Sequence, residues 1–187
     1  MNTLNVSFEN ILDAKDTTAE AFGDDVIVYH IKSTEEKKPL DNIPSIRINA
    51  VSFIVCQYGN ISITVDYKDY HLTKGMILSL STLHILNDIR IGKNFEGYGL
   101  IISDKFALSI VEDMQIIKKL TTSSRTSPLL MLNNDKMQLI VDIIERIKRG
   151  IKAKEHILQK ELIKNEVSNF ILEIADISYK TIYKNCK

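Results

Sequence analysis

Short apolar segments separated by turn residues fill the stretch from Val51 to Ile102, and this feature most restricts how the chain can fold. In Ile61–Tyr67 every second residue is apolar, as in a strand that buries one face. Arg47–Tyr58 is apolar through most of its second half, as in a strand covered on both faces. Gly59-Asn60 suits a tight hairpin with positive φ between these two strands. We therefore predict antiparallel strands joined by turns.

The full strand set predicts a barrel or a sandwich, because no helical segment interrupts it. Gly97 and Gly99 lie on one face of the last strand, which indicates close packing or sharp curvature. Residues 1–23 are acidic and polar, and we predict a loosely held lead-in there. The predicted strands are Asp25–Lys32, Arg47–Tyr58, Ile61–Tyr67, Tyr70–Leu72, Met76–Ser81, His84–Ile91 and Glu96–Ile102.

From Ser103 onward the apolar period changes to that of helices, with Ser103 as the predicted N-cap. The polar segment TTSSRTS before Pro128 is predicted to be a loop. A second helix is predicted from about Asn134 to Gly150 and a third over about 155–183, and together they form an antiparallel hairpin. The chain thus divides into a barrel with an N-terminal arm, residues 1–102, and a helical dimerisation region, residues 103–187.

The third helix carries an apolar stripe at alternating spacings of four and three residues, which is typical of a heptad seam. This spacing fits a seam between two subunits and packing on the barrel about equally well. We expect a homodimer through this stripe, whose residues are Ile163, Val167, Phe170, Ile174 and Ile177.

Composition excludes several classes of protein. The formal net charge is zero, which argues against strong nucleic-acid binding by this chain alone, and the basic residues of 146–154 suit a solvated helix end. Cys56 and Cys186 are interpreted as reduced thiols. The N-terminus lacks the pattern of a signal peptide, and no apolar run approaches the ~20 residues that span a bilayer. We therefore expect a cytoplasmic protein without a membrane partner.

Two segments carry a resemblance to a known family: FIVCQYGNISITVDYKDYHLTKGMILSLSTLHIL and FEGYGLIISDKFALSIVED. They resemble the N-terminal sensory domain of AraC-family transcriptional regulators, in the variety common in Bacteroides-like bacteria (the Bacteroidetes type). The resemblance spans roughly residues 47–177. The matching positions are Gly59, Tyr70, Leu72, Gly75, Met76, Leu78, His84, Gly97, Tyr98, Leu100, Ser103 and Phe106.

The resemblance implies an α+β fold: a cupin-like antiparallel β-barrel of the jelly-roll type, followed by a C-terminal helical hairpin. It also implies a non-enzymatic regulatory domain that binds a small-molecule effector and dimerises. The chain departs from the family in having Ser81-Thr82-Leu83 where a Pro-containing turn is usual before the histidine. The helix-turn-helix pair through which the family binds DNA is missing before Lys187, so we expect a piece of a longer protein rather than a stand-alone sensor.

An effector inside the barrel would contact side chains that point inward. Alternation along the strands gives the candidates Phe53, Val55, Ile63, Val65, His84, Tyr98 and Leu100.

Two alternative functions depend on motifs that the sequence lacks. A metal-dependent cupin isomerase or dioxygenase needs an H-x-H pair, whereas His30, His71, His84 and His156 stand apart, although adjacent strands could bring His71 and His84 together. A cyclic-nucleotide sensor needs an Arg-Ser/Thr-Ala string inside the barrel, and the only similar string, Arg125-Thr126-Ser127, follows the first helix. We expect no catalytic residue, no metal ion and no other cofactor.

Overall fold

The computed structural model describes residues 17–36, 45–47, 50–82, 84–110 and 114–185. Strands dominate up to Ser103 and helices follow, as predicted. The strands are β1 (Thr17–Phe22), β2 (Val26–Ser33), β3 (Ile46–Arg47), β4 (Ala50–Tyr58), β5 (Asn60–Val65), β6 (Lys68–Thr73), β7 (Met76–Leu80), β8 (Ile85–Ile91), β9 (Phe95–Ser103) and β10 (Leu129–Met131). The helices are α1 (Asp104–Ile110), α2 (Met114–Thr126), α3 (Asn134–Lys152) and α4 (Gln159–Asn185).

The strands form two sheets, and within each sheet the paired strands run antiparallel. Sheet A has the order β1-β2-β9-β4-β7-β10, and sheet B has the order β3-β8-β5-β6. The predicted fold class is confirmed: an α+β chain with a cupin-like antiparallel barrel followed by helices.

Sheet A separates two apolar cores. The barrel core lies between sheets A and B and includes Tyr29 and Ile54 from sheet A and Ile63 from sheet B. The helical core lies on the other face of sheet A, where side chains such as Phe53 meet the four helices. Strands β4 and β9 lie side by side within sheet A and are apolar on both faces, because each face covers a core.

The predicted helical hairpin is confirmed by ion pairs between α3 and α4. Lys136 Nζ lies 2.6 Å from Glu173 Oε2, and Arg146 Nε lies 2.9 Å from Glu166 Oε2. As the residue number increases along α3, the number of its partner on α4 decreases, so the two helices are antiparallel. Arg146 of the basic cluster is therefore paired within the chain. The predicted N-cap is also confirmed, because Phe106 N–H donates to Ser103 Oγ at 3.2 Å.

Three local predictions are wrong. Residues 17–22 of the predicted lead-in form edge strand β1, which pairs with β2, while residues 1–16 lie outside the described part. Gly59 has the predicted positive φ of 70°, but it links β4 of sheet A to β5 of sheet B and therefore makes no hairpin. The strand predicted to reach Tyr67 ends at Val65, because Asp66 and Tyr67 adopt positive φ and Tyr67 points into solvent.

The predicted loop at 121–127 is also mostly wrong, because α2 continues to Thr126. Its hydroxyl groups take part in the helix: Thr122 donates to Lys118 O at 2.9 Å, and Ser124 donates to Thr121 O at 2.9 Å. Such side-chain bonds satisfy the hydroxyls inside a helix, although they slightly destabilise it. Strand β10, which follows α2 and pairs with β7, was not predicted.

Candidate functional site

The two faces of sheet A decide where the predicted effector residues lie. Ile63 and Val65 lie in the barrel core, as predicted. Four others point away from the barrel and pack in the helical core, so their predicted inward orientation is wrong; they are Phe53, Val55, Tyr98 and Leu100. Since β4 and β9 are apolar on both faces, their alternation could not show which face turns inward.

Close packing fills the barrel core. A Cβ added to Gly97 would lie 2.2 Å from Val55 O and 2.8 Å from the Phe95 ring. At Gly99 an added Cβ would lie 3.6 Å from Tyr29, an ordinary van der Waals contact. Both Phe95 and Tyr29 are almost fully buried. A ligand entering the barrel would therefore displace part of this packing.

His84, the remaining predicted residue, is buried and bonds to a turn of sheet B. Its Nδ1 lies 2.6 Å from Asp66 Oδ2, and the N–H of Ile85 donates to Asp66 Oδ1 at 2.9 Å. Partial burial would raise the pKa of Asp66, but these two hydrogen bonds outweigh it and lower that pKa. Among the described residues, His84 Nε2 has no hydrogen-bond partner.

Tyr98 belongs to a polar network between sheet A and α3. Its hydroxyl donates to Glu145 Oε1 at 2.6 Å, and Lys148 Nζ lies 2.8 Å from the same oxygen. The His30 ring stacks on Tyr98 with centroids 4.5 Å apart, and His30 Nε2 lies 3.2 Å from Glu96 Oε1. Burial and the bond to Glu145 raise the pKa of Tyr98. This network holds α3 against β2 and β9.

The stripe predicted as a dimer seam is buried inside the chain. Phe170 is fully buried and meets the Phe53 ring edge-on at 4.9 Å, and Ile163 contacts the position of Gly150 on α3. Its assignment to a seam between subunits is therefore wrong, because sheet A and α3 already cover it. The whole stripe belongs to the helical core: Ile163, Val167, Phe170, Ile174 and Ile177.

A crevice between sheet A and the helices was missed by the sequence analysis. It holds a cavity of about 20 Å³ whose walls come from β4, β7, α1, α2 and α4. Ser79 and Ser81 line it from the end of β7, where they alternate with Leu78 and Leu80. This alternation of leucine and serine in the sequence could have indicated the site, because it places two hydroxyls on the helix-facing side of the sheet. The helical part of the wall is visible only in the tertiary structure.

A second concave region lies on the outer face of sheet B. It encloses about 290 Å³, and its polar groups already bond to one another. Ser62 Oγ lies 2.9 Å from His71 Nδ1, and Arg90 Nη2 donates to Asp88 Oδ2 at 2.8 Å. His71 is exposed here while His84 is buried, so the possible pairing of these two histidines does not occur.

Metal-ligating and thiol groups are dispersed. Within the described ranges, no three His, Cys, Asp or Glu side chains come together as a metal site. Cys56 is a free, buried thiol whose pKa burial raises to about 11, and Cys186 lies outside the described residues. None of the helices in the described part is both long and apolar enough to cross a membrane.

Comparison with known proteins gives likeness in structure only. No protein-family model and no curated protein sequence matches the chain. The AraC-like transcriptional activator CuxR is similar in structure, with a TM-score of 0.59 and 11% identity over 87% of this chain and 55% of CuxR. Unsaturated fatty acid bound ToxT from Vibrio cholerae strain SCE256 gives a TM-score of 0.50 and 13% identity over 88% of this chain and 56% of ToxT.

A cupin superfamily protein from Desulfitobacterium hafniense DCB-2 matches 47% of the chain and 76% of its own length, with 17% identity and a TM-score of 0.39. The chain spans little more than half the length of CuxR and of ToxT. The expected fold is therefore confirmed: over nearly its whole length, the chain has the fold of part of an AraC-like transcriptional regulator.

Proposed function

We propose that this chain is the effector-sensing and dimerisation part of an AraC-type transcriptional regulator. The observation that carries the proposal is the shared fold with CuxR, an AraC-like transcriptional activator, over barrel and helices together. ToxT, similar over 88% of this chain, binds an unsaturated fatty acid, which supports a small molecule as the effector. The domain would act in the cytoplasm without catalysis, and DNA would bind to a helix-turn-helix domain outside these residues.

The coding sequence after Lys187 tests this proposal. We expect it to continue into two helix-turn-helix motifs over roughly a hundred residues. The protein expressed from the whole reading frame should bind its promoter DNA specifically, while residues 1–187 alone should not, because sequence-specific binding needs base contacts from such a domain. A reading frame that stops at Lys187, or specific binding of DNA by residues 1–187 alone, would contradict the proposal.

Dimerisation would use the exposed face of α4 in place of the buried stripe. Leu162 and Leu172 are 40% and 46% exposed, and the exposed Asn165 and Asn169 lie between them on the same helix face. These four positions are symmetric about Val167. Consider two antiparallel α4 helices that touch through this exposed face, with a two-fold axis level with Val167 along the helix. Leu162 would then face Leu172 of the second copy, and Asn165 would face Asn169. A self-complementary patch of this kind is what a two-fold dimer requires.

The variant Leu162→Asp tests this interface, with Leu108→Asp as its matched control. Leu108 is 48% exposed but lies on α1. We expect the unmodified chain and the control to sediment as dimers at micromolar concentration, whereas Leu162→Asp sediments as a monomer with an unchanged circular dichroism spectrum. A monomeric unmodified chain, or a dimer that survives the Leu162 change, would contradict the interface.

A further inference from the structure

We propose that the crevice between sheet A and helices α1, α2 and α4 binds a neutral, mostly apolar small molecule whose hydroxyl or carbonyl group bonds to Ser81. This inference rests on the proposed function, because it gives the effector a site and a chemical class. It places the effector outside the barrel core, on the helical side of sheet A.

The walls of the crevice select an apolar ligand. Phe53 lines it from the sheet, Ala107 and Leu120 from α1 and α2, and Ile171 from α4. Each of these four side chains is buried. The lining residues include no charged side chain. A carboxylate or an ammonium group would therefore lose its hydration without gaining a charged partner, which excludes ionised ligands.

Ser81 supplies the polar anchor. Its side chain is 7% exposed, and in the described part of the chain its Oγ has no hydrogen-bond partner. A buried hydroxyl without a partner costs free energy, and a hydrogen bond recovers that cost. A hydroxyl or carbonyl group on the ligand would form this bond. Two other hydroxyls on the wall are already used: Thr121 donates to Ile117 O at 3.0 Å, and Ser124 donates to Thr121 O.

The crevice must widen to admit such a ligand, and α2 is the wall that can move. A space of about 20 Å³ exceeds the roughly 10–15 Å³ that one water molecule needs, but it is far too small for a larger molecule. The last two turns of α2 are rich in Thr and Ser, whose hydroxyls bond to carbonyls of the preceding turn. Such residues are weak helix formers, so unwinding this end of α2 costs less free energy than unwinding a helix of strong helix formers.

A matched pair of probes tests the class of ligand. 1-Octanol and octanoate each have eight carbon atoms in one unbranched chain, and only octanoate is charged at neutral pH. In methyl-resolved NMR titrations of the unmodified chain, octanol should give saturable shifts at Ile117, Leu120 and Ile171, which line the crevice, with smaller shifts at Ile63 and Val65 in the barrel core. Octanoate should bind at least tenfold more weakly. Shifts centred on the barrel core, no saturation, or equal binding of the two probes would overturn the inference.

Three variants test the site itself. Ser81→Ala should weaken octanol binding about five- to tenfold, the usual effect of one lost hydrogen bond. Ala107→Leu should abolish binding by filling the crevice. Gly99→Ala is the control, because its methyl group enters the barrel core in ordinary contact with Tyr29. It should leave octanol binding unchanged.

Circular dichroism shows whether the Ala107→Leu variant folds. If this variant does not fold, the Ser81→Ala variant alone tests whether octanol binds in the crevice. Binding that is lost in Gly99→Ala but kept in Ser81→Ala would overturn the site. If the reading frame continues into a helix-turn-helix pair but octanol does not bind, only this inference fails. If the frame stops while octanol binds in the crevice, the site stands and the regulatory function fails.

Discussion

Two glycines two residues apart in β9 have very different tolerance for a side chain. A methyl group on Gly97 would overlap Val55 O at 2.2 Å, whereas one on Gly99 would meet Tyr29 at an ordinary distance. Gly97→Ala must therefore push β9 away from β4, while Gly99→Ala fills existing space. We expect Gly97→Ala to lower the free energy of unfolding by about 3 kcal/mol and Gly99→Ala to change it by less than about 1 kcal/mol, measured by urea denaturation. Equal effects would show that β4 and β9 are not packed as described.

The stability of the chain should depend on the protonation of His30. Burial is the largest influence, and it lowers the pKa of His30 from the ordinary value of 6.5, against the raising effect of Glu96. A histidine with a lowered pKa binds its proton more readily in the unfolded chain. Stability is therefore complete above pH 6.5 and falls as the pH drops from there through the lowered pKa.

We expect the urea midpoint to decrease between pH 7 and pH 5, and His30→Gln to remove most of this decrease. His71→Gln changes an exposed histidine on sheet B and is the matched control. A decrease that persists unchanged in His30→Gln would assign the pH dependence to other groups.

At the scale of elements, α2 is the helix whose own sequence supports it least. Thr122 is exposed and donates to Lys118 O, so Thr122→Ala removes a weak helix former without touching the crevice. Alanine should stabilise α2 by about 0.5 kcal/mol, seen as slower amide hydrogen exchange in that helix. Thr122→Val keeps the β-branched shape and should give little protection. If the crevice opens by displacement of α2, Thr122→Ala should also weaken octanol binding slightly.

The sequence predicts strands and helices well where a clear apolar periodicity or a turn-forming residue dominates. Ile61, Ile63 and Val65 alternate, and Asn134–Lys152 has a clear helical stripe, so β5 and α3 lie where they were predicted apart from their ends. Strand β1 was missed because TTAEAF carries little apolar alternation, and its support comes from distant parts of the chain. It pairs with β2, and Phe22 packs against the Phe106 ring. The end of α2 was missed because its Ser and Thr residues are equally typical of loops.

The candidate site was predicted less well than the fold. The orientation of Phe53 and Tyr98 depends on which face of sheet A the helices cover, and that is a property of the tertiary structure. Ser79, inside the otherwise apolar strand β7, and Ser81, directly after it, could have been singled out as hydroxyls. Ala107 and Ile171 could not, since nothing in the sequence shows that α1 and α4 meet at the same place.

For the whole molecule, sheet A makes the barrel and the helices dependent on each other. The division at residues 102 and 103 stays a prediction, but β10, from the second part, pairs with β7 of the first. A chain that ends at Ile102 would also expose the helix-facing row that includes Val28, Phe53 and Leu100. We expect residues 1–102 alone to show no cooperative thermal transition and to bind a hydrophobic dye, whereas the full chain unfolds in one step. A sharp transition for residues 1–102 would show that the barrel is an independent domain.

The strand order of sheet A also has a consequence for protein synthesis. Strand β9 pairs with both β2 and β4, and the edge next to β7 is closed only by β10. These partners are far apart in the chain, so their pairing is slow and cannot begin locally on the ribosome. The sheet stays incomplete until Met131 has left the exit tunnel, and the edge of the apolar strand β7 that β10 will cover stays unpaired during that time. Translation speed and chaperone supply should therefore affect the yield of folded protein more strongly than its final stability suggests.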